Sequence, residues 1–428
     1  MSVRAGHWRS AHAFFFKRSL QISTTCLRPS EAIQPSVRKL QSLDGLRAIA
    51  IIGVFLTHEC IHLPVTGIGT FLLRIYLLLG WMGVDLFFVI SGFLITGILL
   101  DTKIAENYFT GFYARRVLRI FPLYYVSLVG VLWLAKLLAP SEFSTNIPLH
   151  QDQWLYFSFL SNWLGLSSES FRPTCLSPFW SLAIEEQFYL LWPLTLWLLP
   201  RRAVLWVSGT LVMVSALVRL VWLSHGGIQL AISFATITRM DGLFIGAICA
   251  YLFREPETLR KMVKWFPWIA AVCFGSFFVA FTVVVFSDNL FHYVPTGVID
   301  ITDASMWVAQ YGGYTAIAMG AGALVLFAAA TENRISWLQS FLQSRALRSI
   351  GKYSYGIYVL HSPIAALAGS FVVPIINRNP GSPMLLGLAY VTILAVVTYL
   401  VAAFSYELFE KKILSFKRFF EPRFPQHE

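Results

Sequence analysis

Leu43-Asp44-Gly45-Leu46-Arg47-Ala48-Ile49-Ala50-Ile51-Ile52-Gly53-Val54-Phe55-Leu56-Thr57-His58 sets an arginine and a histidine into an otherwise apolar helix, and the reading of this stretch decides the fold. At 100° per residue, the eleven positions from Arg47 to His58 make close to three turns, so both side chains share one face. The rise between them is about 16 Å, half of a hydrocarbon layer that is roughly 30 Å thick. With Arg47 at one membrane surface, His58 stands near mid-membrane. An ionisable group at that depth is expensive, so it faces a polar cavity and marks a site, or is satisfied by a neighbouring helix.

The whole chain supports that setting. Its 428 residues are 57% hydrophobic and 13% charged, whereas a soluble globular domain is about half apolar and about a quarter charged. The class is all-α: a polytopic transmembrane helical bundle. A net charge of +11 would favour nucleic acid in a soluble chain. In a membrane protein basic residues gather on the cytoplasmic side, and no nucleic-acid partner is needed to explain them. Cys26, Cys60, Cys175, Cys249 and Cys273 show no metal or redox spacing.

Residues 1–41 are a basic tail, with Arg4, Arg9, Lys17, Arg18, Arg28, Arg38 and Lys39 against one acid, Glu31. It holds no apolar run long enough for a signal peptide and reads as cytoplasmic, although its Arg- and Ser-rich character also fits an organelle transit peptide. Apolar spans follow near 46–63, 78–100, 120–139, 179–199, 203–223, 231–252, 266–287, 307–330, 353–376 and 384–406. The piece at 152–166 is shorter and rich in Trp, Tyr and Ser. Were it to cross, Arg201, Arg202 and every later basic cluster would change sides, so it reads as interfacial or re-entrant. The expectation is about ten spans, both termini cytoplasmic, a membrane domain over 42–410 and a short tail at 411–428.

Polar residues recur inside these spans: Arg47 and His58 on the first, Asp85 and Ser91 on the second, Arg116 and Arg119 at the cytoplasmic mouth of the third. Ser181, Glu185, Glu186 and Tyr189 follow on the fourth, Arg239 and Asp241 on the sixth, and Tyr355, Tyr358 and His361 on the ninth. Ser177 can cap the fourth helix, and Ser181, Glu185 and Tyr189, spaced by four, share a face. His58 and Glu185 are expected at similar depth, where a carboxylate would fix the imidazole tautomer and raise its basicity. Two guanidiniums three apart at a helix end suit phosphates, although positive-inside bias alone also puts them there. Arg239 and Asp241 read as a mutually neutralising pair or as part of a structural network. His361 and its tyrosines suit either a site or helix packing.

His58-Glu59-Cys60-Ile61-His62 also matches the H-E-x-x-H pattern of zinc proteases. A third ligand is needed, and Asp241 is the candidate; five residues with two free positions are readily met by chance. The expectation is that no metal is required.

The same residues carry a resemblance. Ser42-Leu43-Asp44-Gly45-Leu46-Arg47-Ala48 followed by His58 resembles the R-x10-H signature of the membrane acyltransferase-3 family, polytopic O-acyltransferases that modify bacterial surface glycans and other secreted acceptors. The likeness continues through Gly83-Val84-Asp85-Leu86-Phe87-Phe88-Val89-Ile90-Ser91-Gly92, Arg116-Val117-Leu118-Arg119, Ser177-Pro178-Phe179-Trp180-Ser181-Leu182-Ala183-Ile184-Glu185-Glu186-Gln187-Phe188-Tyr189, Arg239-Met240-Asp241-Gly242-Leu243 and Tyr353-Ser354-Tyr355-Gly356-Ile357-Tyr358-Val359-Leu360-His361. It implies functional roles for Arg47, His58, Arg116, Arg119 and Glu185. Two features are expected to stand outside the pattern: the long basic tail, and the absence of the extracytoplasmic hydrolase-like domain that some members add. The expectation is an enzyme of the bacterial plasma membrane that takes an acyl group from acyl-CoA, most simply acetyl-CoA, to a carbohydrate or lipid-linked sugar. Arg47, Arg116 and Arg119 would bind the donor, and His58 would act as general base with Glu185 behind it. Asp85, Ser91, Ser181, Tyr189, Arg239, Asp241 and His361 would support them. The alternatives are a carrier of sugar or lipid and the intramembrane zinc protease.

Overall fold

In a computed structural model, the described residues are 40–59, 77, 79–134, 148, 150–166, 174–226, 229–287, 308–378 and 383–425. The basic tail at 1–39, and Cys60 and His62 of the zinc-like pattern, lie outside them. Ten longer helices carry the bundle: α1 (Gln41–Glu59), α2 (Met82–Asp101), α3 (Tyr108–Val129), α4 (Phe179–Leu198) and α5 (Ala203–Ser224). They are followed by α6 (Asp241–Phe253), α7 (Phe266–Ser287), α8 (Tyr314–Ala330), α9 (Arg345–Arg378) and α10 (Pro383–Ser405). Seven of them, α2, α3, α5, α7, α8, α9 and α10, belong to segments long and apolar enough to cross a membrane. The protein is a multi-pass membrane protein. The three outside that set are α1 and α4, which carry the charged residues, and the thirteen-residue α6.

The sixth apolar stretch is broken. Short helices at Gln229–Phe234 and Thr236–Arg239 precede α6, with Ala235 extended between them. The backbone carbonyls freed by the break find partners in protein: Asn162 Nδ2 donates to Phe234 O, and Thr238 Oγ1 donates to Ile232 O. Broken backbone at membrane depth is tolerated where protein satisfies it. The third helix starts twelve residues before the apolar stretch that announced it, so Arg116 and Arg119 sit within its helical turns rather than before them. The segment 152–166 forms a five-residue helix, Gln153–Phe157, and a 3-10 turn, Ser161–Leu166, too short to span. Tyr124 and Tyr125 of α3 donate to the carbonyls of Tyr156 and Phe157, and Gln187 of α4 donates to Phe159 O and Asn162 Oδ1. Ser177 does not cap α4; its hydroxyl accepts the Thr174 N–H instead.

α2 is the centre of the bundle, with Phe88, Val89, Ile95 and Leu99 fully buried and α1, α4, α6 and α8 packed around it. α6 lies closest. A Cβ on Gly92 would overlap the Leu243 carbonyl, and one on Gly246 would overlap that of Val89, so the two backbones touch where side chains would hold them apart. α1 packs along both α2 and α9. Its first turn is capped from far along the chain: Glu332 accepts the Gln41 N–H at 2.7 Å, the Ser42 N–H at 3.2 Å and the Ser42 hydroxyl. A carboxylate at a helix N-terminus satisfies otherwise unpaired donors and meets the positive end of the dipole.

Gly92→Val tests the α2–α6 contact. Overpacking typically costs about 1–3 kcal/mol and here meets rigid backbone, so the variant should unfold at a lower temperature in detergent than the parent.

Candidate active site

An open cavity of about 720 Å³, counted together with the solvent space at its mouth, lies between α1, α2, α3, α4 and α9. Arg47, Ser91, Arg116, Arg119, Ser181, Glu185 and Tyr189 all line it, together with Ser354, Tyr355 and Tyr358 of α9. Helical period explains the convergence, since positions three and four apart rise along one face. Tyr189 OH donates to Glu185 Oε2 at 2.9 Å, and Ser91 Oγ donates to Oε1 at 2.9 Å, so this carboxylate is held on both oxygens.

The cavity is cationic. Three guanidiniums line it against one carboxylate, and among the described residues no carboxylate lies in ion-pair range of Arg116 or Arg119. Arg116 lies over the rings of Phe112 and Tyr189, each 5.7 Å from the centroid, and Arg119 over Tyr355 at 5.9 Å. Such contacts hold a guanidinium in place while leaving its N–H groups unspent. Arg47 is 3.7 Å from Asp44. At the start of α3, residues 420–423 dock against the chain: Arg115 donates to Phe420 O, Asn107 Nδ2 to Glu421 O at 2.8 Å, and Glu106 N to Arg423 O at 2.9 Å.

His58 stands outside this lining, and the expected His58–Glu185 pair is replaced by another. His58 Nδ1 lies 3.0 Å from Nε2 of His361, with the rings stacked at 5.1 Å. Glu185 is committed to Ser91 and Tyr189, which reach it first because Tyr189 is one turn away on the same helix. The histidine pair is linked to the cavity lining through Tyr358. His361 follows the lining residue Tyr358 by three positions on α9, their rings 5.7 Å apart, and Tyr358 OH bonds with Ser181 Oγ at 2.5 Å.

Behind the cavity lies a buried ion network that the sequence pairs differently. Arg239 meets Asp85 at 3.1 Å, and Asp241 meets Arg219 at 2.9 Å, so the neutralisation runs crosswise rather than between Arg239 and Asp241. Arg239 also lies 3.5 Å from the centroid of the Tyr314 ring. Thr315 Oγ1 donates to Asp241, and Arg219 donates to Ser215 Oγ and Thr238 O. Asp241, the third ligand the zinc pattern needed, is thereby occupied.

A family described as an acyltransferase domain matches residues 40–407. The chain belongs to this acyltransferase family. The O-acetyltransferase OatA of Staphylococcus aureus is 31% identical over 394 residues, covering 88% of this chain and 58% of OatA. YrhL of Bacillus subtilis, assigned by its name to peptidoglycan O-acetylation, is 30% identical over 398 residues, covering 88% of this chain and 55% of YrhL. The chain thus spans a little over half the length of these relatives. No solved structure matches it.

Two residues of these networks, Arg219 and Ser354, are not among the sequence candidates. Arg219 had a signal: it is the single charged residue of the span 203–223, and a lone buried arginine needs a partner. Ser354 had none, since a serine on a helix is unremarkable until the cavity is seen.

Arg219→Leu should leave Asp241 uncompensated and cost about 3–5 kcal/mol, while Arg219→Leu combined with Asp241→Leu should recover part of the loss. Thermal unfolding of the two variants in detergent checks this.

Proposed function

We propose that the chain is an O-acyltransferase of the bacterial plasma membrane that moves an acetyl group from acetyl-CoA to a hydroxyl of a cell-envelope glycan. The observation that carries this reading is the cavity with three arginines and one carboxylate. Cations without anionic partners are costly in a low-dielectric bundle, and a phosphate-bearing ligand offsets that cost. Guanidiniums suit phosphates because their planar donor fork bonds two oxygens at once. The family supports acyl transfer, and the names of OatA and YrhL support acetyl as the group and peptidoglycan as the acceptor.

The donor's phosphates sit at Arg116, Arg119 and Arg47, and its flexible arm carries the thioester along α1 toward His58, about 16 Å of helix rise away. His58 takes the proton of the acceptor hydroxyl as that oxygen bonds to the acyl carbon. The C–S bond breaks, and the leaving thiolate takes the proton back from His58, so free coenzyme A and the ester leave with the base regenerated. Glu185 acts at the arginine end, holding Tyr189 under Arg116, rather than on His58.

The test uses the full chain in nanodiscs with acetyl-CoA and solubilised peptidoglycan fragments, following thiol release and acetyl transfer. His58→Ala should slow transfer by at least about 10²-fold. Arg116→Ala and Arg119→Ala should each raise the KM for acetyl-CoA about 10- to 100-fold, the worth of a charge-assisted hydrogen bond. Wild-type turnover in His58→Ala would sink the base, and an unchanged KM in both arginine variants would sink the phosphate site.

A further inference from the structure

His361 is fully buried, whereas His58 is exposed. The hydrogen bonds of His361 settle where its proton is. Its Nδ1 lies 2.7 Å from the carbonyl of Tyr358 and 3.2 Å from that of Ile357. A carbonyl only accepts, so Nδ1 carries the hydrogen. Among the described residues no carboxylate pairs with this imidazole, and a fully buried ring without a counter-charge is neutral. Its Nε2 therefore holds a lone pair. That lone pair faces His58 Nδ1 at 3.0 Å, so His58 Nδ1 is the donor of the bond between the rings. One proton is then placed on His58 at Nδ1, which in the neutral imidazole leaves Nε2 with the lone pair.

We infer that His361 is a positioning residue for acyl transfer: it fixes His58 as the tautomer protonated at Nδ1 and presents Nε2 as the base. This rests on the assignment of His58 as general base. A second imidazole thus does what a carboxylate does behind many catalytic histidines. It orients the ring, and it accepts the Nδ1–H bond that strengthens when Nε2 gains the acceptor's proton. A neutral partner does so without adding a charge to a buried site, where a carboxylate would need a counter-ion of its own. The backbone of α9 supplies the rest of the orientation, because both carbonyls that hold His361 lie in its own preceding turn.

The experiment compares His361→Leu and His361→Gln in the nanodisc assay with acetyl-CoA and peptidoglycan fragments, beside His58→Ala and the double variant His58→Ala/His361→Leu. Leucine removes the acceptor, whereas the glutamine Oε1 restores one. His361→Leu should lower kcat about 10- to 100-fold, the usual cost of losing an orienting partner, with the KM for acetyl-CoA unchanged. His361→Gln should regain most of that loss. The double variant should be no slower than His58→Ala alone, since groups acting as a unit are not additive. His361→Met replaces the leucine variant if the latter does not fold. Full turnover in His361→Leu with His58→Ala inactive would overturn this inference while leaving the base assignment standing. A glutamine variant as slow as leucine, or a double variant slower than His58→Ala, would overturn it in favour of a structural role. Wild-type turnover in His58→Ala would overturn both.

Discussion

The ion pair between Asp85 and Arg239 is the constraint on which the rest of the bundle depends. It ties the first turn of α2 to the last residue of the short helix Thr236–Arg239, two positions before α6 begins. A charge there must be answered, because water is absent and an isolated ion costs several kcal/mol or more. Arg219 then answers Asp241, and the break is held from three sides by α2, α5 and α8. With α6 fixed, its glycine-mediated contact with α2 follows, and α2 in turn presents Ser91 to the cavity.

The molecule treats its charges in two opposite ways. Behind α2 they are matched one to one and fully buried. In front of α2, Arg116 and Arg119 rest on aromatic faces with no carboxylate in ion-pair range among the described residues, whereas Arg47 has Asp44 3.7 Å away. A matched pair recovers part of the desolvation each charge has lost, whereas an unmatched buried charge does not. The tyrosines of α3 belong to the same economy of polar groups. Tyr108, Tyr113, Tyr124 and Tyr125 each spend their hydroxyl on a carbonyl of a neighbouring segment, which fastens the arginine-bearing helix to α4 and to 152–166.

What the sequence made legible was local. The four-residue spacing of Ser181, Glu185 and Tyr189 and the eleven-residue spacing of Arg47 and His58 are properties of a single helix, and the period alone assigns their faces. The membrane setting and the apolar stretches were legible for the same reason. Pairing between helices was not. His361 lies 303 residues from His58, and nothing in either segment says which polar partner the other will meet. The crosswise partners were not legible: Arg239 and Asp241 flank Met240, itself in the αR region, so they point about 200° apart around the helical path and meet different neighbours. The early start of α3 was hidden by its own charges, since Arg115, Arg116 and Arg119 dilute the apolar signal over the turns that carry them.

The docking of residues 420–423 on the start of α3 also bears on how the protein is made. Asn107 and its partner Glu421 are 314 residues apart, so α3 leaves the ribosome long before the segment that closes over its first turn exists. Insertion of the helices and completion of the arginine end are therefore separate events in time. Until residues 420–423 are made, the Asn107 amide and the Arg115 guanidinium at the start of α3 lack the carbonyls they bond in the finished fold.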